Sequence, residues 1–145
     1  MSEVKITKRL CLLKDGGRNR TSAFVELFGT WIVWDYGLNS TEYKQLYVVY
    51  KTEYAGMPLQ EFVHSLSLTA DQVDSITRQV ALALSVAECE LNFEHRDLHP
   101  ETVLIRPTSR SQLTFRMDGE SHSVNSCGYK ATIVNFSASR ATIKR

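Results

Sequence analysis

Residues 92 to 105, NFEHRDLHPETVLI, gather Glu94, His95, Arg96, Asp97 and His99 between a long apolar segment and a short β-branched one. Such a set suits proton and anion chemistry. Asp97 could accept the proton of a hydroxyl, while Arg96 or His99 could meet an anion. A metal arrangement is the competing reading, because His95 and His99 are four residues apart and would share one side of a helix, as in zinc hydrolases, with Glu94 and Asp97 beside them. Pro100 disfavours helical backbone at His99. A loop is therefore expected here, which sets zinc chemistry aside, and the plainest reading is a polar loop after a helix.

The elements around this loop follow from periodicity. Thr69 to Gln72 has the spacing of a capping box, and a helix is expected from there to about Glu90, with Val73, Ile76, Val80, Ala83, Leu84 and Ala87 as its apolar stripe. Residues 3 to 14 carry a helical pattern that Gly16-Gly17 stops as a C-cap and turn, and residues 59 to 66 make a second short helix. Strands are expected at Leu46 to Tyr50, Val103 to Ile105, Leu113 to Met117 and Ala131 to Phe136. One or two more lie between Phe24 and Trp34, broken at Gly29-Thr30. Asp35 to Thr41 reads as a turn-rich connection, and Asp118-Gly119 as a hairpin turn.

The chain has 145 residues, 43% of them apolar, which predicts one globular domain burying about two-thirds of its unfolded surface. Seventeen basic and sixteen acidic residues leave a formal charge of +1. No global field is available for nucleic acid or an anionic membrane, so any anionic ligand must be held locally. No run approaches the length of a membrane span, and the N-terminus lacks the apolar core of a signal peptide. These features predict a soluble intracellular protein. Cys11, Cys89 and Cys127, odd in number and widely spaced, are expected as reduced thiols.

HRDL is also the core of the protein-kinase catalytic loop. With its flanks, FEHRDLH resembles the haspin family of atypical serine/threonine kinases. NRTSAF (Asn19 to Phe24), LYVVYKTEYAGMPL (Leu46 to Leu59), SVAECELNFEHRDLH (Ser85 to His99) and SCGYKATIVNFSASR (Ser126 to Arg140) look like family segments in the family's order. The resemblance implies an α+β, partial protein-kinase-like fold. Residues 1–52 would be a small-lobe remnant, 53–58 the hinge and 59–145 a large-lobe portion.

The resemblance also implies roles. Asp97 stands at the catalytic base and His99 where most kinases carry a lysine. Glu3 stands at the regulatory-helix glutamate, which normally pairs with a strand lysine. Thr52 is the gatekeeper position, and Glu53, Tyr54 and Gly56 border the adenine pocket, although Pro58 replaces an acidic residue at the ribose contact. The family uses ATP and magnesium. Here Thr102 replaces the asparagine that holds one magnesium, and Asn135, in NFS, replaces the metal-binding aspartate. With no room before Glu3 for a glycine-rich loop and lysine, and with the chain stopping at Arg145 without an activation segment, the expectation is a truncated, catalytically inactive relative. A noncatalytic module that binds a protein or dimerises through bared apolar surface is the alternative, and residual kinase activity is another. Family members act in the nucleus on a histone threonine, but that substrate is not carried over.

Overall fold

A computed structural model describes residues 2–35 and 45–142. The fold is α+β, with helix α1 (Glu3–Leu12) continuing into a 3₁₀ turn (Leu13–Asp15), then strands β1 (Leu27–Asp35), β2 (Gln45–Thr52) and β3 (Met57–Pro58). Helices α2 (Leu59–Ser65) and α3 (Ala70–Leu91) follow, and then strands β4 (Val103–Pro107), β5 (Gln112–Met117), β6 (Glu120–Asn125) and β7 (Tyr129–Ile133). Among the described residues the strands form three small antiparallel sheets: β1-β2, β3-β4-β7 and β5-β6. Among the described residues, no helix is long and apolar enough to cross a membrane.

Helix α3 begins as its sequence predicts. The Thr69 hydroxyl accepts from Gln72 N–H while the Gln72 side chain accepts from Thr69 N–H, so two otherwise orphaned donors are satisfied. Its buried face is more polar than the apolar stripe suggests. Ile76, Ala83 and Ala87 are buried as expected, but so are Ser75, Gln79 and Val86, whereas Val73 is half exposed. The reason lies in β7, against which the helix packs. Gln79 donates through Nε2 to Tyr129 O at 3.0 Å and accepts from Ala131 N–H at 2.8 Å, satisfying strand groups that face a helix rather than another strand.

The larger core joins Ile6 and Leu10 of α1 with Ala83, Val86 and Ala87 of α3, Phe115 of β5 and Ile133 of β7. At its centre, the Phe24 and Phe93 rings meet edge to face at 5.7 Å, and Phe136 lies within 6.2 Å of both. A smaller core places Phe62 on Tyr129 at 4.8 Å, with Ile76, Val103, Ile105 and Ala131 around them. Residues 23 to 25 run parallel to the end of β7, through Ile133 N–H to Ala23 O at 2.7 Å and Val25 N–H to Ile133 O at 3.2 Å. The segment after α1 is thereby fixed to the residues that precede Asn135.

Several boundaries differ from the sequence expectation. Between Phe24 and Trp34 there is one strand, and its irregularity falls at Phe28: Leu27 pairs with Thr52 but Gly29 with Lys51, leaving one extra residue in β1. Gly29 is not a break; the Trp31 ring lies over it, 2.8 Å from where a β-carbon would stand. The α1 pattern ends in the 3₁₀ turn, and Gly16 is extended (φ −64°, ψ 143°) rather than a left-handed cap. Strand β7 stops at Ile133, so Val134 to Phe136 leave the sheet. Of the expected 35–41 turn, Asp35 closes β1 and the rest lies outside the described residues. The Asp118-Gly119 hairpin turn has positive φ at both positions (51° and 90°), as its two-residue loop requires.

Replacing Gln79 with leucine keeps the volume but strands the Ala131 N–H and Tyr129 C=O in a dry interface. The expected loss is on the order of 2–4 kcal/mol, read from a shifted urea midpoint followed by far-UV circular dichroism. A midpoint equal to that of the unaltered chain would refute the role given to Gln79.

Candidate functional site

Helix α3 ends at Leu91, and Asn92 takes the left-handed conformation (φ 44°) that turns the chain out of the helix. The next four residues alternate. Phe93 and His95 point into the core, while Glu94 and Arg96 face solvent, with the Arg96 Nε donating to the Glu94 carboxylate at 2.8 Å. This loop is tied repeatedly to the segment after β7. Asn92 Nδ2 donates to Thr142 Oγ1 at 3.0 Å, Glu94 and Arg140 exchange two backbone hydrogen bonds at 2.9 Å, Ser139 Oγ donates to His95 O at 2.9 Å, and Val134 makes two more bonds.

Val134 accepts through its carbonyl from His95 Nε2 at 3.0 Å and donates its N–H to Thr102 O at 2.9 Å. A carbonyl can only accept, so Nε2 carries the proton and Nδ1 is left as an acceptor. Nδ1 faces the Asp97 N–H at 3.4 Å, which means the neutral ring orients the backbone of Asp97. His95 is 5% exposed, and burial holds its pKa below the usual histidine range, only partly offset by the Val134 hydrogen bond and the Asp97 charge. Because the ring is consumed internally, it is not the surface metal ligand considered from the sequence.

The Asp97 carboxylate is about half exposed, with His99 Nε2 at 3.8 Å, and His99 Nδ1 lies 3.9 Å from Glu101. Asp97 and His99 thus share one surface, on a loop rather than in a helix. Arg96 sits beside them in left-handed backbone (φ 67°). Asn135 follows Val134 directly, so the same residue that bonds His95 and Thr102 brings Asn135 to the Asp97 loop.

Thr102 and Asn135 are both engaged within the protein. Thr102 is 2% exposed; its hydroxyl donates to His99 O at 3.0 Å and accepts from His99 N–H at 3.1 Å, closing the loop over residues 99–102. Asn135 has φ 61°, a conformation asparagine tolerates, and its Oδ1 accepts from Ser137 Oγ at 2.8 Å and Ser137 N–H at 3.4 Å. Magnesium needs hard oxygen ligands, normally carboxylates, near octahedral positions. A buried hydroxyl and a neutral amide oxygen that caps its own turn do not fit that demand.

The residues predicted at the hinge lie between the end of β2 and the start of β3. Thr52 closes β2 opposite Leu27 and is exposed. The Glu53 carboxylate accepts from Glu26 N–H at 3.0 Å and pairs with Arg106 at 3.4 Å, fastening the segment after β2 to β4. Tyr54 is 82% exposed. Gly56 has φ 112°, and a β-carbon there would lie 2.1 Å from Ile105 O, so the crossing over β4 demands glycine. Glu3 meets the Tyr50 hydroxyl; burial and the Glu3 charge together raise the Tyr50 pKa. Among the described residues Glu3 has no lysine partner within 4 Å.

Sequence reasoning missed His95, Ser139 and Arg140 as the residues that position the loop. The alternation of Phe93 and His95 against Glu94 and Arg96 was the available signal for His95. Ser139 and Arg140 act through backbone or a single hydroxyl and leave no local pattern.

The whole chain, residues 1–145, matches the family model described as the haspin like kinase domain. It is 32% identical to the serine/threonine-protein kinase haspin of Bos taurus over 97% of its own length, covering 20% of that protein. For the Mus musculus protein of the same name the identity is 30%, with 97% of this chain and 21% of the relative covered. The Drosophila melanogaster haspin homolog is 28% identical, over 99% of this chain and 28% of the relative. The chain therefore spans between a fifth and three-tenths of these relatives.

Because His95 is held neutral in the fold, the unfolded chain binds the extra proton first as pH falls. Its contribution to stability is full above pH 6.5, the unfolded value, and is lost as pH drops through 6.5 toward the depressed folded value. The expected result is that His95→Gln flattens the stability slope below pH 6.5, measured by urea titrations across pH. An unchanged slope would show that another group carries it.

Proposed function

Because this chain belongs to the haspin-like kinase family, we propose that it is a pseudokinase-like member: it keeps the Asp97 loop but lacks the anionic ligands that phosphoryl transfer requires. Residues 1–52, 53–58 and 59–145 serve as small-lobe portion, hinge and large-lobe portion in this reading. The observation that carries it is that Thr102 and Asn135 are neutral and already hydrogen-bonded to His99 and Ser137. In kinases the charge on the transferring phosphoryl group is met by metal ions that side chains hold in place. Without a carboxylate at position 135 that holding charge is missing, and each 1.4 kcal/mol of lost stabilisation slows transfer about tenfold.

Asp97 retains the geometry of a base. It is accessible, its backbone is oriented by His95, and His99 stands beside it. ATP is the ligand this reading assigns to the hinge around Thr52 to Gly56, bound weakly and without dependence on magnesium. A nuclear location belongs to the same family-based proposal; the family's histone substrate is not carried over to this chain.

A second reading, a noncatalytic protein-binding or self-associating module, is favoured by the β1-β2 ribbon. Ile32, Trp34, Leu46 and Val48, which share one face of it, and Trp31 on the other face are each at least half exposed, a concentration of bared apolar side chains of the kind that marks interaction surfaces. Concentration-dependent association in sedimentation velocity, abolished by Ile32→Lys, supports that reading; a monomer at all concentrations opposes it.

Calorimetric titration with ATP, with and without magnesium, tests the first reading. The affinity should be the same in both, and Asn135→Asp should introduce a magnesium dependence. Tight magnesium-dependent binding by the unaltered chain would sink the assignment of the metal positions. In a phosphotransfer assay on histone or on the chain itself, no turnover above background is expected. Turnover abolished by Asp97→Asn would show an active kinase instead.

A further inference from the structure

A cleft of about 380 Å³ opens between the segment after α1, β5 and β7. Four cations line it, Lys14, Arg20, Arg110 and Lys130, and no carboxylate does. None of its lining residues belongs to the catalytic loop or the hinge. In a chain whose formal charge is only +1, such a concentration of one sign is a local arrangement and not a consequence of composition.

The cations are unequally matched. Lys14 is paired with Glu26, but among the described residues Arg20, Arg110 and Lys130 have no carboxylate within 4 Å. Lys130 is the most constrained of them. It lies on β7, partly buried, with the Arg106 and Arg110 charges acting against its own and Glu53 and Glu26 only partly offsetting them; burial is the largest of these effects and lowers its pKa. Holding the partly desolvated Lys130 charge beside that of Arg110 costs free energy that a bound anion would recover, while Arg20 and Arg110 are themselves exposed and open to a ligand from solvent. The two arginines supply planar forks suited to phosphate oxygens, while Gln112 and Thr114 add neutral polar groups at the wall.

We propose that this cleft is a binding site for a small anion bearing two linked phosphate groups. One phosphomonoester carries about −1.5 to −2 at pH 7 and would leave part of the Arg20, Arg110 and Lys130 charge unmatched. Two linked groups match it. The volume lies within the range of small-ligand sites, about 300–1,000 Å³. Neither Asp97 nor the metal positions enter the argument, so the proposal stands or falls apart from the pseudokinase reading.

The test is calorimetric titration of the full chain with sodium pyrophosphate. Three variants accompany it: Arg20→Gln/Arg110→Gln, Arg20→Lys/Arg110→Lys, and Lys5→Gln/Lys8→Gln on the exposed outer side of α1 as a control with the same change in net charge as the first. One saturable site is expected, weakened roughly tenfold or more by the glutamine pair (1.4 kcal/mol per decade). The lysine pair should fall between the glutamine pair and the unaltered chain, and the control should change little. Circular dichroism of each variant confirms that it is folded, and if the glutamine pair is unfolded, the lysine pair decides. Absence of saturable binding, an equal loss in the control, or a lysine pair identical to the unaltered chain would overturn the proposal. Two further probes identify the ligand. Orthophosphate binding as tightly as pyrophosphate would refute the requirement for two groups, and a phosphoserine peptide binding more tightly would replace a small ligand with a protein segment.

Discussion

Two hydrogen bonds at Val134 hold the candidate site together. One comes from the buried His95 ring and the other runs to Thr102, so the strand that ends at Ile133 is joined to both sides of Asp97. Neither bond would form without the burial of Phe93, which drives His95 inward two residues later, or without the parallel contact of residues 23–25 that fixes Ile133. The aromatic cluster of Phe24, Phe93 and Phe136 lies under all three segments. Packing there and polar order above it are one arrangement, since moving any of the three rings would displace a backbone that carries a loop contact.

Thr102 and Asn135 order the loop with partners inside the protein. The Thr102 hydroxyl bridges His99 from within, and Asn135 closes its own turn on Ser137. Among the described residues the Asp97 loop is held in place by these protein groups together with His95 and Val134.

Much of this was legible from the sequence where the signal was local. The capping box at Thr69, the hairpin at Asp118-Gly119 and the loop character of residues 94–99 all depend on residues a few positions apart. What escaped depended on distant partners. Gln79 reads as a solvated helix residue until β7 is seen to present unpaired backbone to it, and Val73 reads as core until nothing buries it. At Gly29 a break was inferred, whereas the strand runs through it and the Trp31 ring lies over it. His95 was visible as a chemical group, but its inward direction was signalled only by its alternation with Phe93, and its partner Val134 is distant in sequence. The basic cleft unites residues from positions 14 to 130, a separation that no spacing rule reaches.

The ribbon of β1 and β2 has an optical consequence. The chain's two tryptophans, Trp31 and Trp34, both lie on β1 and are 50% and 51% exposed. The aromatic rings at the centre of the fold belong to phenylalanine, with Tyr129 in the smaller core. Intrinsic indole emission from this protein will therefore be red-shifted even in the native state and will report on the ribbon, not on the interior. A denaturation curve followed by that emission can remain flat while the core melts, and a blue shift at constant temperature would signal that something has covered the ribbon.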